Sequence, residues 1–600
     1  MSLFTELRRR NVIRVAAAYL VAAWLVAQIA ELALDSFGTP DWVMKTILFM
    51  LAMGLPFAII FAWAFELTPE GIKREKDVDR SESITQQTGR KLNYTIIGAL
   101  TVALVLSIAT RGVQFGAEES VEQPEAVADT DKSIAVLPFV NMSDDPDNEY
   151  FSDGISEELL NVLVKVEGLR VASRTSSFSF KGKDTPIPDI AEALKVEHVL
   201  EGSVRKAGDT VRITAQLIDV KTDSHLWSET YDRKLEDVFV IQDEISAHIV
   251  EALRVALGAG EVAQTSGRPT DNLQAYEDYL RGRHFWQRRG GDNIQKAIAL
   301  FENATRADPG FARAWSSLAA AHLTLPNYSD EPADTHYPLA LEFANKALAL
   351  DPAMAESHAV IADLLRFENR WSEAEEHYLA AIRLEPKNAT GYLWYAEQLA
   401  SVGKLELCLE NALIALELDP FNAGTNSMAA FGYELVGDMD LARQQLVAAW
   451  DLGHPGAIYI MIEWDFTNGF TDRAQQLIED NAEHFDDDDR RYFAELSEAV
   501  SQPDKVDVFL GSIANHPDST PHFVAFVNVL FGRLEHGMRL YRENPITGNN
   551  WMELWLPAMQ VLREHPQFQD LLETAGLPSY WDEYGWPSRC ARDGETITCR

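Results

Sequence analysis

ALALDP at 347–352, AIRLEP at 381–386 and ALELDP at 415–420 share one form: an alanine, a leucine three residues on, an acidic residue and a proline. The prolines, Pro352, Pro386 and Pro420, are spaced by 34 residues. Upstream, Pro309 ends TRADP and precedes Pro352 by 43, which leaves an apparent nine-residue insertion around LPNYSDEPADTHYP. Downstream, His454 holds the strict position with Pro455 beside it. A proline stops a helix because it has no N–H and collides with the preceding turn. Small residues stand twelve before each of these positions: Ala297, Ala340, Ala374, Cys408 and Ala442. A second set follows seven later: Ala304, Ala347, Ala381, Ala415 and Ala449. Small side chains let paired helices approach closely, so Cys408 reads as a substitute for alanine in a helix contact.

A 34-residue period is the mark of tetratricopeptide repeats, and residues 272–456 resemble that family, with about five units. Trp315, Tyr392, Ala319, Ala362, Ala396 and Ala430 fit first-helix positions. Ala275 to Arg289 reads as a degenerate first helix. After His454 the period blurs, and 457–600 is expected to hold degenerate helical repeats and a cap. Trp581, Tyr584 and Trp586 are expected to cover the last exposed helix face. The DDDD of Asp486 to Asp489 suits the start of a helix, where acidic residues are favoured. The resemblance implies a solenoid whose concave surface holds a protein or peptide.

Before the repeats, SIAVLPF from Ser133 reads as a buried strand, Phe151 to Val166 as a helix and LRVAS (169–173) as a second strand. A short helix follows over 187–195. His198–Arg205 and Thr210–Val220 read as strands of a hairpin, HLWSETYDR as another strand, and Val238–Leu257 as a closing helix. SIAVLPF, FSDGISEELLNVL, LRVASRTS and the run VLEGSVRKAGDTVRITAQLIDVKTDSHLWSETYDR together resemble the TolB amino-terminal-like domain, placed at 132–258. That resemblance extends to membrane-bound regulators of the CadC group and to adenylate-cyclase-associated repeat proteins, and implies a small α/β fold. Asp144, Asp145, Asp147 and Glu149 crowd one loop, but without EF-hand spacing they read as a polar turn. Asp153 and Ser156 suit a helix start. Arg174, Thr175 and Ser176 follow a strand end, where small-molecule sites often form. No nucleophile–base pair, GxSxG elbow, phosphate loop, CxxC or HExxH stands out. No catalytic, cofactor-binding or metal-binding residue is therefore expected, and the chain is read as a non-enzyme.

Residues 1–111 read as a membrane segment with three spans, about 15–34, 42–65 and 94–111, each near the length a bilayer requires. Arg8, Arg9, Arg10 and Arg14 precede the first span, and Lys73, Arg74, Lys76, Arg80, Arg90 and Lys91 follow the second. By the positive-inside rule this puts the N-terminus and FELTPEGIKREKD (65–77) in the cytoplasm and residues after 111 in the periplasm. Residues 112–131 form an acidic tether. In that oxidising space Cys590 and Cys599 would close a small loop. The chain has 92 Asp and Glu against 52 Lys and Arg, a formal charge of -40, which repels nucleic acid.

The expected fold is thus multi-domain: three transmembrane helices, a small α/β domain, then an α-solenoid of tetratricopeptide repeats. The expected function is a protein-binding scaffold or adaptor anchored in the bacterial inner membrane, presenting a periplasmic repeat arm. Its partners would be a protein or peptide in the repeat groove, the lipid bilayer and a membrane complex. The alternatives are a receptor relaying to a separate cytoplasmic partner, or an accessory subunit of a membrane enzyme.

Overall fold

The computed structural model describes residues 50–51, 65–68, 71–74, 132–166, 168–234, 238–257, 269–517 and 519–600. The chain divides into two units, 1–126 and 127–600. In the first, β1 (Phe65–Thr68) pairs antiparallel with β2 (Gly71–Arg74), Phe65 opposite Arg74. FELT and GIKR are therefore paired strands, and Phe65, expected to end a helical span, begins a strand instead.

The membrane expectations are corrected here. Among the described residues no helix is long and apolar enough to cross a membrane. The twenty-residue helix Val238–Leu257 has the length, but Asp243, Glu244, Glu251 and Arg254 interrupt it, and a span needs about 20 predominantly apolar residues. The three expected spans fall outside the described residues except at Met50, Leu51 and Phe65, and the acidic tether at 112–131 lies outside them too. Membrane anchoring, the bilayer as a partner, a membrane complex and an inner-membrane, periplasmic location therefore have no support. What stands is a helical solenoid with an α/β domain, in which no described helix is transmembrane.

The α/β domain is a six-stranded sheet in the order β5-β3-β6-β7-β8, with β4 also paired to β6. Its strands are β3 (Ser133–Val136), β4 (Val140–Asn141), β5 (Arg170–Val171), β6 (His198–Ala207), β7 (Thr210–Asp219) and β8 (Ser224–Lys234). β3 lies parallel to β5 and β6, while β6, β7 and β8 form an antiparallel meander. Ile134 and Val136 enter one core and Ala135 the other, so β3 is covered on both faces. On β7, Val211, Ile213, Ala215 and Leu217 are fully buried while Arg212, Thr214 and Gln216 point away, the period-two pattern of a half-buried strand. Helices α1 (Glu149–Leu163) and α4 (Val238–Leu257) pack on the larger core, α3 (Ile187–Leu194) on the smaller. The short α2 (Arg174–Phe178) follows β5.

The solenoid begins with α5 (Leu273–Gln287) and α6 (Gly291–Ala307), then α7 (Ala312–Thr324) and α8 (Ala333–Leu350). Next come α9 (Ala355–Phe367) and α10 (Trp371–Leu384), α11 (Ala389–Ser401) and α12 (Leu405–Leu418), and α13 (Ala423–Val436) and α14 (Met439–Asp451). The predicted turn positions have a common geometry. α6, α8, α10 and α12 end just before Pro309, Pro352, Pro386 and Pro420. The N–H of the preceding acidic residue (Asp308, Asp351, Glu385, Asp419) bonds to the carbonyl of Ala304, Ala347, Ala381 or Ala415. That bond satisfies one of the orphan carbonyls a helix end leaves. Ala297, Ala340, Ala374, Cys408 and Ala442 are all fully buried, so these positions pack helix against helix. Burial also pushes the Cys408 thiol far up, which keeps it protonated and inert.

Beyond the last strict repeat, α15 (Ala457–Thr467) and α16 (Thr471–Asp480) form one more pair, followed by α17 (Asp487–Ser501) and α18 (Val506–Asn515). Asp486 caps α17 by accepting from the N–H groups of Asp488 and Asp489, so the DDDD run starts a helix. α19 (Pro521–Leu530) and α20 (Leu534–Glu543) lead into a tail of short helices, α21 (Asn550–Glu553), α22 (Gln560–Arg563), α23 (Phe568–Thr574) and α24 (Leu577–Tyr584). The chain ends in a hairpin, β9 (Cys590–Asp593) against β10 (Thr596–Cys599), with Cys590 and Cys599 directly opposite and joined by a disulfide.

Candidate functional site

The inner face of the solenoid is built from the first helix of each pair. α7 and α9 are buried almost all round, whereas α10 buries only a stripe of Trp371, Ala374, Glu375, Tyr378 and Ala381. A first helix buried on every side means that something covers the inner face. Two parts of the same chain do so.

The first cover is the α/β domain. Its core is continuous with that of the leading repeats: Phe239 of α4 lies 4.5 Å from Tyr276 of α5, centroid to centroid, and Gln242 donates to the Tyr276 hydroxyl at 2.9 Å. Leu280 of α5 sits against Gly154 of α1 so closely that a β-carbon on Gly154 would be 2.8 Å away. Around this apolar contact α1 presents its carboxylates to the repeats. Arg283 binds Glu157 and Glu356, each at 2.9 Å, and Arg313 binds Glu158 at 3.1 Å. His284 Nδ1 lies 3.0 Å from Asp153, which Lys181 also holds at 2.6 Å. Burial would raise the Glu157 carboxyl, but the guanidiniums of Arg283 and Arg174 outweigh it and hold it below the usual range.

The α/β domain is gripped further along at the proline turns. Lys387, next to Pro386, donates to the carbonyls of Val164, Val166 and Leu169 at 3.1, 3.4 and 2.8 Å, capping the carboxyl end of α1. A cation there also complements the helix dipole. Asp419, next to Pro420, accepts from Ser173 and Ser176 at 2.5 and 2.7 Å, at the amino end of α2. Phe421 meets Phe180 edge-on at 5.8 Å.

The second cover is the C-terminal tail, held at the opposite turns. Trp555 and Trp581 donate their indole N–H groups to the carbonyls of Ser401 and Val402 at 3.0 and 2.9 Å. Trp371 donates to Ala575 at 2.7 Å, and Tyr580 to Glu375 at 3.0 Å. Arg366, fully buried on α9, is held by Asp363 at 2.5 Å, Glu397 at 3.0 Å and Asn549 of the tail at 2.5 Å.

Sequence reasoning placed some of these groups differently. Trp581 was expected on the last helix face; it is fully buried and reaches back to the end of α11. Arg174 and Ser176, weighed for a small ligand, are taken by Glu157 at 2.8 Å and by Asp419. In the acidic loop, Asp145 accepts from the Asp147 N–H, Asp144 lies 3.4 Å from Arg205, and Glu149 pairs with Lys181. Among the described residues no group of three metal-ligating side chains assembles. Arg283, Arg313, Lys387 and Asp419 were missed. The signal for Arg283 was its place in AYEDYLRGRHFWQRR, a basic stretch in a strongly acidic chain.

A stretch of inner face beyond α12 carries a different charge pattern. Glu434 of α13, Glu463 of α15 and Glu553 of α21 are half-buried. Tyr492 donates to Glu463 at 2.8 Å. Burial and the Glu463 charge push Glu434 up to about 8, with a hydrogen bond from Trp464 offsetting part of the rise. The same two causes push Glu553 up to about 7. Glu463 is raised by burial, and the Tyr492 hydrogen bond opposes this.

The family model for the second domain of HilA/YgeH-like transcriptional regulators matches residues 130–248, the α/β domain. A putative adenylate cyclase 3 of Rhizobium meliloti (strain 1021) is 41% identical over 244 residues, 40% of this chain and 42% of that protein. The chain thus spans about two fifths of the length of the curated relative it matches. Among solved structures, pilF of Pseudomonas aeruginosa is 20% identical, covering 34% of this chain and 88% of its own, with a TM-score of 0.27. A thermophilic TPR protein of Thermus thermophilus is also 20% identical, covering 30% and 91%, with a TM-score of 0.26.

Proposed function

We propose that this chain is a non-catalytic protein-binding scaffold that recognises its partners on the inner face of the helical repeats. One observation carries the reading. The solenoid already recognises a helix there: α1 lies on α5 with its apolar side packed and its carboxylates matched by Arg283 and Arg313. The α/β domain is then a built-in occupant of the first repeats, not a separate reader. An incoming partner takes the inner face beyond α12, where Ser427, Phe431 and Trp464 are only half-buried. The transcriptional-regulator domain and the putative cyclase that parts of this chain match support a regulatory setting for that binding.

The test is site-specific crosslinking in cells of the source organism. A photoreactive residue at Phe431 is compared with one at the exposed Glu376 on the outer side of α10. The reading expects discrete protein adducts from position 431 and none from 376. Equal adducts at both positions, or none at 431, would overturn it.

A further inference from the structure

We propose that β8 is a docking edge for a second copy of this chain, the two β8 strands pairing antiparallel about a two-fold axis at Thr230. The proposal stands apart from whatever the repeats bind.

β8 ends the sheet order β5-β3-β6-β7-β8 and pairs with β7 alone among the described strands. The turn before β7 shows which backbone groups of β8 are free. Gly208 and Asp209 form a two-residue loop between Ala207 and Thr210, with Gly208 at φ 58°. A tight hairpin with glycine first closes on a hydrogen-bonded pair, and such pairs then alternate along the strand. The even residues of β7 therefore bond to β6, and Val211, Ile213, Ala215 and Leu217 bond to β8. Their partners there are Arg233, Tyr231, Glu229 and Trp227. Leu226, Ser228, Thr230 and Asp232 thus aim their N–H and C=O groups out of the sheet. Among the described residues these groups take no backbone partner. The Asp232 carbonyl accepts from its neighbour Arg233 at 3.1 Å.

An edge strand is usually blunted by short length, a proline or a bulge, because its free backbone groups are a template for pairing. β8 runs eleven residues without proline, and its register shift lies near its start, opposite Leu217 and Ile218. Leu226, Ser228, Thr230 and Asp232 are all exposed. α4 lies over the other face, where its His248 meets Trp227 and Tyr231.

The sequence of β8 fits its own reverse. With Thr230 on the axis, it faces Thr230 of the second copy, Ser228 faces Asp232, Trp227 faces Arg233 and Glu229 faces Tyr231. Paired threonines, hydroxyl with carboxylate and cation with aromatic ring are all favourable across strands. Within one chain Tyr231 already donates to Glu229 at 2.8 Å. Centring on Glu229 would set two carboxylates against each other. Centring on Tyr231 would leave Leu226 and Trp227 beyond the paired stretch. One strand pair is small beside the roughly 1,200–2,000 Å² of a stable interface, so the dimer is weak and depends on concentration.

The experiment uses the full chain in sedimentation velocity over about two decades of concentration, up to roughly 100 μM. We expect monomer to give way to dimer. Ser228→Pro removes an outward N–H without cutting the β7 ladder, and should weaken the dimer about tenfold or more. Should that variant unfold, Leu226→Lys/Thr230→Lys, which sets two ammonium groups on the axis, must weaken it as much. Cysteines read the register. Cys590 and Cys599 are joined and Cys408 is buried, so none competes. Under mild oxidation Thr230→Cys should crosslink to itself much faster than Asp209→Cys on the exposed β6–β7 turn. Ser228→Cys should crosslink to Asp232→Cys and not to itself. Monomer at every concentration, a dimer indifferent to both edge variants, or Thr230→Cys no faster than Asp209→Cys would overturn the proposal. None of these outcomes bears on the adducts at Phe431, so the scaffold reading is tested separately.

Discussion

The Arg283 guanidinium meets the Glu157 carboxylate at 2.9 Å, joining residues 126 apart in the chain. Both side chains are more than four-fifths buried. Removing Arg283 leaves Glu157 with Arg174 alone and takes the guanidinium from Glu356, and breaking a buried pair costs up to about 3–5 kcal/mol. Arg283→Ala should therefore lower urea stability by about that amount. Combining Arg283→Met with Glu157→Gln should recover part of it, because neither member of the pair is left charged, although Glu356 and Arg174 each lose one partner. A single variant within about 0.5 kcal/mol of the parent would show that the pair contributes little.

The contact of α5 with α6 leaves no room for a further carbon at Gly282. A β-carbon on Gly282 would lie 2.5 Å from Phe301 Cε1. Alanine gains about 1 kcal/mol over glycine in helix propensity, while overpacking costs about 1–3 kcal/mol. The steric cost wins against a buried ring, so Gly282→Ala should be destabilising. Ala381→Trp, at a site 4% exposed, should cost about 3 kcal/mol. Thermal melts that leave either variant at the parental midpoint would contradict this packing.

Glu434 and Glu553, both raised by burial, set a pH dependence. A carboxyl raised in the folded state binds its proton more tightly there than in the unfolded chain, where it titrates near about 4.3. Stability therefore falls as pH rises from that value through the folded one, which is about 7 for Glu553 and about 8 for Glu434. His322 works in the opposite sense. Burial and the neighbouring His336 lower it to about 4, so stability is lost as pH falls from about 6.5 toward that value. Between about pH 6.5 and 8 the glutamates dominate. The melting temperature should decline across that window, and Glu434→Gln should flatten the decline. A profile unchanged by Glu434→Gln would exclude this carboxyl as a source.

The Cys590–Cys599 disulfide closes a short loop at the end of the chain. Loss of a crosslink around a loop of roughly ten residues costs about 2–3 kcal/mol in the chain-entropy account. The hairpin buries Ile597 and both cysteines against the tail. Reduction should open the hairpin backbone so that trypsin cuts after the exposed Arg592 before any repeat is cut, while Cys408 resists alkylation until global unfolding. Identical digestion with and without reductant would mean that packing alone holds the hairpin.

The periodic part of this fold was legible because its cause is local. Ala381 and Pro386 mark one helix end by a backbone bond and a missing donor, and both repeat every 34 residues. The alternation of Val211, Ile213, Ala215 and Leu217 is equally local. The covering of the inner face was not legible. It depends on Lys387 reaching carbonyls more than 200 residues upstream and on Trp581 reaching one 179 residues back. No window of sequence contains both partners. The second span of the membrane reading failed at Phe65 for a related reason: apolar composition does not reveal that Phe65 pairs with Arg74.

A stack of helical repeats is ordinarily a one-dimensional object. Each unit touches only its neighbours, and units fray from the ends. Here the α/β domain runs alongside the stack and is fastened at Arg283, Arg313, Lys387 and Asp419, as a splint is bound to a rod at intervals. Fraying of the first unit would require releasing contacts with the later ones. The array from α5 to α13 should thus melt as one block, with amide protection nearly level along its inner helices instead of graded toward the N-terminal end.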